Sequence, residues 1–157
     1  MSDPVTDLNV VSNVPLPAPA LLLHEIRRTN QQAETVFAAR RRIEEILQGR
    51  SERFIVIVGP CSIHDPDQGL EYAARLAALR DELADRLEIV MRVYFEKPRT
   101  SVGWKGLIMD PDLDGTANLS EGLRIARTLL GEIVDLGLPT ATEFLDPITP
   151  QYIADLI

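Results

Sequence analysis

The sequence predicts an α/β fold in which parallel strands alternate with helices. Residues 54–58 form an apolar run without polar alternation, which is typical of a strand buried on both faces of a parallel sheet, and residues 88–94 are predicted to form a second strand. Segments with apolar residues at three- and four-residue steps lie between and after them, as amphipathic helices require. Strands separated by helices indicate right-handed parallel crossovers. With 157 residues, of which 45% are apolar, the chain can bury a sizeable core.

The first 20 residues are predicted to form an extended arm. They contain Pro4, Pro15, Pro17 and Pro19 and show no helical period. Proline fixes φ and removes a hydrogen-bond donor, which disfavours regular structure. Two interpretations remain open, a disordered tail and an arm that packs on a partner subunit.

Residues 21–50 are predicted to form an N-terminal helical extension. Thr29 with Gln32 has the spacing of a capping box, and Gly49 is a natural stop. The run of arginines at positions 40–42 is expected to be a solvated face. The predicted apolar stripe, with Phe37 at its flank, consists of Val36, Ala39, Ile43, Ile46 and Leu47.

Residues 51–157 are predicted to form three βα units. The predicted strands cover residues 54–58, 88–94 and 140–145, and a long loop covers residues 95–118. Asp65, Ser120 and Thr149 are the predicted side-chain caps of the helices that follow, with Pro150 in the first turn of the last one. Doubly wound sheets and (β/α)8 barrels both begin in this order, and periodicity alone leaves the choice open. The predicted buried positions of the first two of these helices are Leu70, Ala73, Leu76, Ala77, Leu83, Leu123, Ala126, Leu129, Leu130 and Ile133.

Composition and charge exclude several classes of function. No apolar run approaches the roughly 18 residues that a membrane span needs, and the acidic N-terminus lacks the features of an export signal. A single cysteine rules out a disulfide framework and suits a reducing cytosol, so a cytoplasmic location is expected. A formal charge of −8 disfavours nucleic acid as a partner.

The carboxyl ends of the predicted strands hold the candidate site, because parallel α/β folds place their sites there. Cys61 follows the first strand, where a thiol can serve as a nucleophile, as a soft metal ligand or as a small buried residue. His64, three residues later, is either a second ligand or an ordinary hydrogen-bonding loop residue.

Cations cluster after the second strand. Arg92, Lys97 and Arg99 fall within eight residues of an otherwise acidic chain, and Thr100 adds a hydroxyl donor. An arginine inside a buried strand is costly unless it meets an anion, and Arg and Lys suit phosphates and carboxylates. The alternative is a structural ion-pair cluster around Glu96.

Carboxylates follow the third strand at Glu143 and Asp146. They could orient a lysine, hold a metal through water or contact a partner subunit, and the residues themselves do not choose. No glycine-rich phosphate loop of the P-loop or dinucleotide-binding type is present.

Taken together, these segments closely resemble the microbial, feedback-regulated class I DAHP synthases (3-deoxy-D-arabino-heptulosonate 7-phosphate synthases). The resemblance runs from about Leu21 to the last residue. It rests on residues 58–65 (VGPCSIHD), 91–100 (MRVYFEKPRT), 103–107 (GWKGL), 122–127 (GLRIAR), 143–146 (EFLD) and 148–152 (ITPQY).

The resemblance implies a (β/α)8 TIM barrel with an N-terminal extension, of which this chain would supply the arm, the helical extension and about three βα units. The family condenses phosphoenolpyruvate with erythrose 4-phosphate in an aldol-type reaction. This is the first step of the shikimate pathway to the aromatic amino acids, and it needs a divalent metal of the Mn, Fe, Co or Zn type. Homo-oligomers and an aromatic amino acid effector are also implied.

The resemblance also implies roles for individual residues. Cys61 matches a metal ligand, and Arg92 matches a phosphoenolpyruvate-binding arginine. Lys97 matches the catalytic lysine between the two substrates. Arg99 and Thr100 match the erythrose 4-phosphate site, which Pro98 flanks. The region of Asp146 and Pro150 resembles parts involved in regulation and assembly.

A complete barrel needs about 250 residues, so the expectation is an inactive N-terminal fragment with an incomplete metal site and exposed sheet edges prone to aggregation. Two alternatives stay open. A synthase acting on another sugar phosphate, such as a KDO 8-phosphate synthase, is disfavoured by the 97–100 stretch (KPRT). The second alternative is a non-catalytic remnant that binds a partner subunit or an aromatic effector.

Overall fold

The structure, a computed structural model, describes residues 8, 10, 13–98 and 102–157. Two helices, α1 (Pro19–Glu25) and α2 (Asn30–Leu47), precede the strands. The βα units follow as β1 (Phe54–Val58), α3 (Pro66–Glu82), β2 (Leu87–Arg92), α4 (Leu119–Asp135), β3 (Thr140–Ala141) and α5 (Pro150–Ile153), with a final 3₁₀ turn at Ala154–Leu156. No helix within the described ranges is both long and apolar enough to cross a bilayer.

The three strands form one parallel sheet in the order β1-β2-β3. β1 pairs with β2 from Phe54 opposite Leu87 to Val58 opposite Met91. β3 pairs with the carboxyl end of β2, where Ala141 is opposite Arg92. The predicted parallel α/β order is therefore confirmed.

The core lies between one face of the sheet and the helices that follow the strands. Ile89 and Met91 of β2 point to this face and are buried. The predicted apolar positions of α3 and α4 pack here, and those of α4 are all at most 2% exposed. α1 begins within the predicted arm, continues into the predicted helical extension and adds the fully buried Leu22 to the same core.

β1 differs from its prediction as a strand buried on both faces. Phe54 is 73% exposed and Ile57 is 59% exposed. β1 has a single strand neighbour, and α3 and α4 cover only the face that carries Val56 and Val58. The side chain of Ile57 points to the opposite face, so its apolar character reflects a surface that these described residues leave open.

The second and third strands also end earlier than predicted. β2 stops at Arg92 and β3 at Ala141, not at Tyr94 and Leu145. The last ladder contact is the bond from the Val93 N–H to the Ala141 carbonyl, at 2.7 Å. Among the described residues β3 has no strand on its outer edge, so nothing extends its ladder further.

α2 packs near the other face of the sheet and departs from its prediction in two ways. Val36 and Ala39 are buried as expected, but Leu47 is 75% exposed because it lies in the last turn. The arginine run is more than a solvated face. Arg40 donates to the carbonyls of Ala154 and Ile157, and Arg42 forms a bidentate pair with Glu88.

The ends of the helices can be compared with the predicted caps. The Thr29–Gln32 capping box, the Asp65 cap and the positive φ of Gly49 are confirmed. Ser120 is not a cap, because the side chain of Asn118 accepts the bond from the Glu121 N–H. Thr149 does not cap α5, since its hydroxyl donates to Asp146 instead.

Candidate functional site

The carboxyl ends of the three strands bring the candidate residues to one edge of the sheet. Cys61 follows β1, Lys97 follows β2, and Asp146 follows β3. Backbone bonds hold the loops together beyond the strands. The Ile63 N–H donates to the Tyr94 carbonyl at 2.9 Å, which ties the loop after β1 to the loop after β2.

Two glycines allow these loops to approach each other. A Cβ on Gly59 would lie 2.2 Å from the carbonyl oxygen of Arg92. Gly106 has a φ of +115°, and a Cβ there would lie 2.1 Å from the Phe95 carbonyl oxygen. Any side chain would push the loops apart, so glycine is needed at both positions.

Cys61 and Lys97 are in direct contact. The Lys97 Nζ lies 2.8 Å from the Cys61 Sγ, although the residues are 36 positions apart in the chain. The cysteine is exposed, so its interpretation as a small buried residue is wrong. The thiol instead stands at the open edge of the sheet beside an ammonium group.

Arg92 is held with part of its hydrogen-bonding capacity unused. One of its terminal nitrogens donates to the carbonyls of Gly59 and Pro60, both at 3.1 Å. Its Nε is buried without a hydrogen-bond partner among the described residues. A buried guanidinium N–H without an acceptor is uncommon, and a carboxylate or phosphate would satisfy it.

Tyr94 supports the same guanidinium from one side. The Arg92 Cζ lies 4.9 Å from the centroid of the Tyr94 ring, within cation–π range. The hydrogen bond between the Tyr94 hydroxyl and the Glu143 carboxylate raises the pKa of Tyr94 above its usual value. Glu143, a predicted candidate with an open role, thus contacts the ring that packs against Arg92.

Among the described residues, Glu96 forms no ion pair with Arg92 or Lys97, so these two cations give no support to the alternative of a structural ion-pair cluster. Its carboxyl is instead hydrogen-bonded to Asp146, and its Oε1 lies 3.4 Å from the Thr149 Oγ1. Burial, followed by the bond and the charge of Asp146, raises the pKa of Glu96 from 4.5 to about 7. Burial also disfavours ionised Asp146, but bonds from Thr149 and Ile148 outweigh it and lower its pKa.

A cavity of about 480 Å³ lies beside these loops. Glu96, Lys97, Lys105 and Asp146 supply its charged groups, and the rest of its wall is mostly apolar. Trp104 lies outside it and packs against the core, with its Nε1 donating to the Asp110 carbonyl at 2.7 Å.

The described residues do not complete a metal site. They contain no group of three His, Cys, Asp or Glu side chains close enough to share an ion. A stable divalent site needs about four ligands, and His64 is not brought into such a group with Cys61. Cys61 therefore stands as a single soft ligand in the part of the chain that the structure describes.

The structure brings together Cys61, Arg92, Lys97, Glu143 and Asp146 at one edge of the sheet. Pro98 is exposed and lines the cavity, and Pro150 begins α5. Arg99 and Thr100 lie outside the described residues.

Sequence reasoning missed two features, the Glu96–Asp146 pair and the contact of Tyr94 with Arg92. The only sequence signal for the pair was the acidic residue within each loop, which could not specify that the two loops touch.

Comparison with known proteins finds relatives that all belong to one family of enzymes. Residues 25–157 match the sequence model of the DAHP synthetase I family. The chain is 58% identical over 151 residues to the Phe-sensitive phospho-2-dehydro-3-deoxyheptonate aldolase of Escherichia coli K12, covering 96% of this chain and 43% of that protein. It is 64% identical over 125 residues to the Trp-sensitive enzyme of Enterobacter agglomerans, covering 80% and 36%.

A solved structure agrees with these sequence relatives. The phospho-2-dehydro-3-deoxyheptonate aldolase of Francisella tularensis SCHU S4 superimposes with a TM-score of 0.91 and 48% identity, covering 95% of this chain and 44% of that one. The fold and the site thus define a parallel α/β chain whose relatives are enzymes. The chain belongs to the DAHP synthetase I family. It spans less than half the length of each of these three relatives.

Proposed function

We propose that this chain supplies the first three βα units and the main substrate-binding loops of a DAHP synthase barrel. The proposed reaction joins phosphoenolpyruvate to erythrose 4-phosphate and releases phosphate. The observation that carries the proposal is the buried Arg92 Nε, left without an acceptor among the described residues at the strand edge where Lys97 also lies. Family membership and the match to a solved aldolase support it.

Arg92 would bind the anionic groups of phosphoenolpyruvate, and Lys97 would lie between the two substrates as the catalytic lysine. Arg99 and Thr100 would hold the phosphate of erythrose 4-phosphate, with Pro98 beside them. Two phosphorylated molecules side by side repel each other by about 4 kcal/mol per unit charge pair at 4 Å and an effective dielectric near 20. A lysine between arginines offsets that repulsion.

The rest of the barrel would come from polypeptide beyond these three units. The chain covers 43% of its E. coli relative, and a barrel closes only with eight strands. Cys61 would contribute one thiolate to a metal of the Mn, Fe, Co or Zn type, with the other ligands supplied by later strands. By itself the 157-residue chain is expected to be inactive and to bind divalent metal weakly.

Regulation by an aromatic amino acid is part of the proposal. The names of two relatives describe them as Phe-sensitive and Trp-sensitive. In this chain Asp146 accepts bonds from the N–H groups of Ile148 and Thr149, at 2.6 and 2.9 Å, and so shapes the turn into Pro150. We place effector binding or subunit assembly in this turn, within a cytoplasmic homo-oligomer.

A chimera tests the proposed reaction. This chain is joined to the part of the E. coli Phe-sensitive enzyme that follows the position equivalent to Ile157, and DAHP formation is measured. The chimera should be active, and the 157-residue chain alone should not. Arg92→Met should lower kcat/KM for phosphoenolpyruvate roughly 10- to 100-fold, because one charge-assisted hydrogen bond contributes about 1.5–3 kcal/mol.

Arg86→Met is the matched control, because Arg86 is exposed and forms an ion pair with its sequence neighbour Asp85, away from the site. It should leave the kinetics unchanged. A folded chimera that consumes neither substrate would overturn the proposed reaction, as would equal losses for the two arginine variants. DAHP formation by the isolated chain would contradict the proposed need for the missing units.

A further inference from the structure

The contact between the loop after β2 and the loop after β3 depends on two carboxyl groups. The Thr149 hydroxyl lies between Glu96 and Asp146, 3.4 Å from the Glu96 Oε1 and 2.5 Å from the Asp146 Oδ2. A hydroxyl has one proton, and the shorter contact assigns it to Asp146. Because an ionised carboxyl group only accepts, Glu96 can hydrogen-bond to this hydroxyl or to Asp146 only when it carries a proton itself.

The surrounding donors decide which group holds the proton. Asp146 accepts from the Ile148 N–H, the Thr149 N–H and the Thr149 hydroxyl, so its ionised form is satisfied. Among the described residues Glu96 has the Leu145 N–H as its donor, because the single proton of the Thr149 hydroxyl goes to Asp146. Glu96 is thus the protonated member, which donates to Asp146.

Other charged groups around the pair leave this assignment in place. Lys97 and Lys105 line the same cavity, but the Lys97 ammonium is turned to Cys61. The Tyr152 hydroxyl donates to the Pro17 carbonyl at 2.7 Å, and Glu143 is bonded to Tyr94. Asp146 is the charged group that acts most strongly on Glu96.

Glu96 directly precedes Lys97 in the chain. The Lys97 N–H donates to the Lys105 carbonyl at 2.8 Å, which closes the loop on itself. Fixing the Glu96 side chain against Asp146 therefore fixes the backbone from which the Lys97 side chain extends. If Glu96 ionises, two adjacent carboxylates repel each other and this anchor is lost.

We propose that the Glu96–Asp146 pair is a proton-dependent latch, in which Glu96 acts as a positioning residue that holds the Lys97 loop against the turn before α5. The latch is a property of these two loops. Its consequence for catalysis, through the position of Lys97, rests on the function proposed above. The latch would open as the medium becomes alkaline and would stay closed in mildly acidic solution.

Hydrogen exchange and carboxyl NMR test the latch on the 157-residue chain, and the same measurements are repeated on the chimera. Protection factors are corrected for the intrinsic pH dependence of exchange. The Lys97 amide of the wild type should lose about tenfold or more of its protection between about pH 5.5 and 8.5. The ¹³C shift of the Glu96 carboxyl should titrate over the same range.

Glu96→Gln provides the decisive comparison, because an amide N–H can donate to Asp146 at every pH. Its Lys97 protection should change less than about twofold over that range. Glu132→Gln, which removes an exposed carboxylate from α4, should behave as the wild type. These variants separate the latch from general effects of charge.

Three results would overturn the latch. They are a Glu96 carboxyl that titrates with ordinary glutamates, a wild-type profile without pH dependence, and equal pH dependence in Glu96→Gln. The carboxyl titration needs no variant, so it decides the question even if a substitution unfolds the chain. An inactive chimera with an intact latch would instead count against the proposed reaction alone.

Discussion

Glu88 is the acidic residue most deeply buried among the described ion pairs, with its side chain 5% exposed. It lies on β2 and accepts two bonds from Arg42 of α2, at 2.8 and 2.9 Å. Arg53, just before β1, adds a third at 3.0 Å. A single carboxylate thus joins the helical extension to the sheet.

Glu88→Gln should destabilise the chain by about 2–3 kcal/mol, because it leaves two arginines without their counter-ion in a partly buried place. Urea unfolding followed by circular dichroism measures the change. Glu71→Gln is the control, since Glu71 forms an exposed pair with Arg75 on α3, and such pairs contribute at most about 1 kcal/mol. Equal losses in the two variants would contradict the special role of Glu88.

Glu96 also predicts a pH dependence of stability. Its pKa is raised, so the folded chain keeps a proton that the unfolded chain releases above its ordinary pKa of 4.5. The resulting stabilisation is complete below that value and is lost as the pH rises through about 7. Asp146 has a lowered pKa, so its own contribution is lost only in more acidic solution.

The urea midpoint should therefore fall between about pH 5 and 8 in the wild type and fall less in Glu96→Gln. Comparing the two chains removes every contribution that they share. A larger fall of the midpoint in Glu96→Gln than in the wild type would show that the predicted sign of the pH dependence is wrong.

At the scale of elements, α2 is attached to α4 through one glutamine. Gln32 accepts the Thr29 N–H at 2.8 Å as part of the capping box. Its amide nitrogen donates to the Gly131 carbonyl at 3.1 Å and to Asp135 at 3.0 Å. The same side chain therefore starts one helix and fixes it to another.

Gln32→Ala should cost about 2–3 kcal/mol of unfolding free energy, because it removes the Gln32 half of the capping box and the two side-chain bonds to α4. Gln31→Ala is the matched control, since Gln31 is exposed and the capping box is formed by Thr29 and Gln32. Chemical denaturation of both variants gives the comparison. A loss below about 0.5 kcal/mol for Gln32→Ala would mean that water replaces these bonds.

At the scale of the whole molecule, α2 covers Val90 on the second face of the sheet, but the described residues leave Ile57 on the same face exposed. Ile55, Ile57 and Val90 line an apolar cavity of about 480 Å³ together with the inner side of α2. β1 has no strand on its outer edge among the described residues. Unpaired edges and open apolar faces favour association between chains.

The isolated chain is expected to self-associate as its concentration rises, and Ile57→Lys should weaken that association by placing a charge on the open edge strand. Sedimentation velocity over a range of concentrations measures both effects. Leu79→Lys on α3 replaces another exposed apolar residue, 44% exposed, away from the open face and should change little. A wild-type chain that stays monomeric throughout would contradict this prediction.

The order of elements, the parallel sheet and the candidate residues at its carboxyl edge could all be predicted from the sequence alone. Local rules were sufficient there, because non-alternating runs such as 54–58 predict strands and residues such as Asp65 and Thr29 cap helices through contacts a few positions away. The motifs around Cys61 and Lys97 also indicated the family, which the comparisons confirm.

Only the tertiary structure decided which of these groups touch. The Cys61–Lys97 contact spans 36 positions and the Glu88–Arg42 pair spans 46, distances over which sequence spacing carries no geometric information. The same holds for the Glu96–Asp146 pair, whose proton depends on burial and on a neighbouring carboxylate that the fold brings close. The exposure of Ile57 was decided in the same way, because an apolar strand residue is buried only where another element covers it.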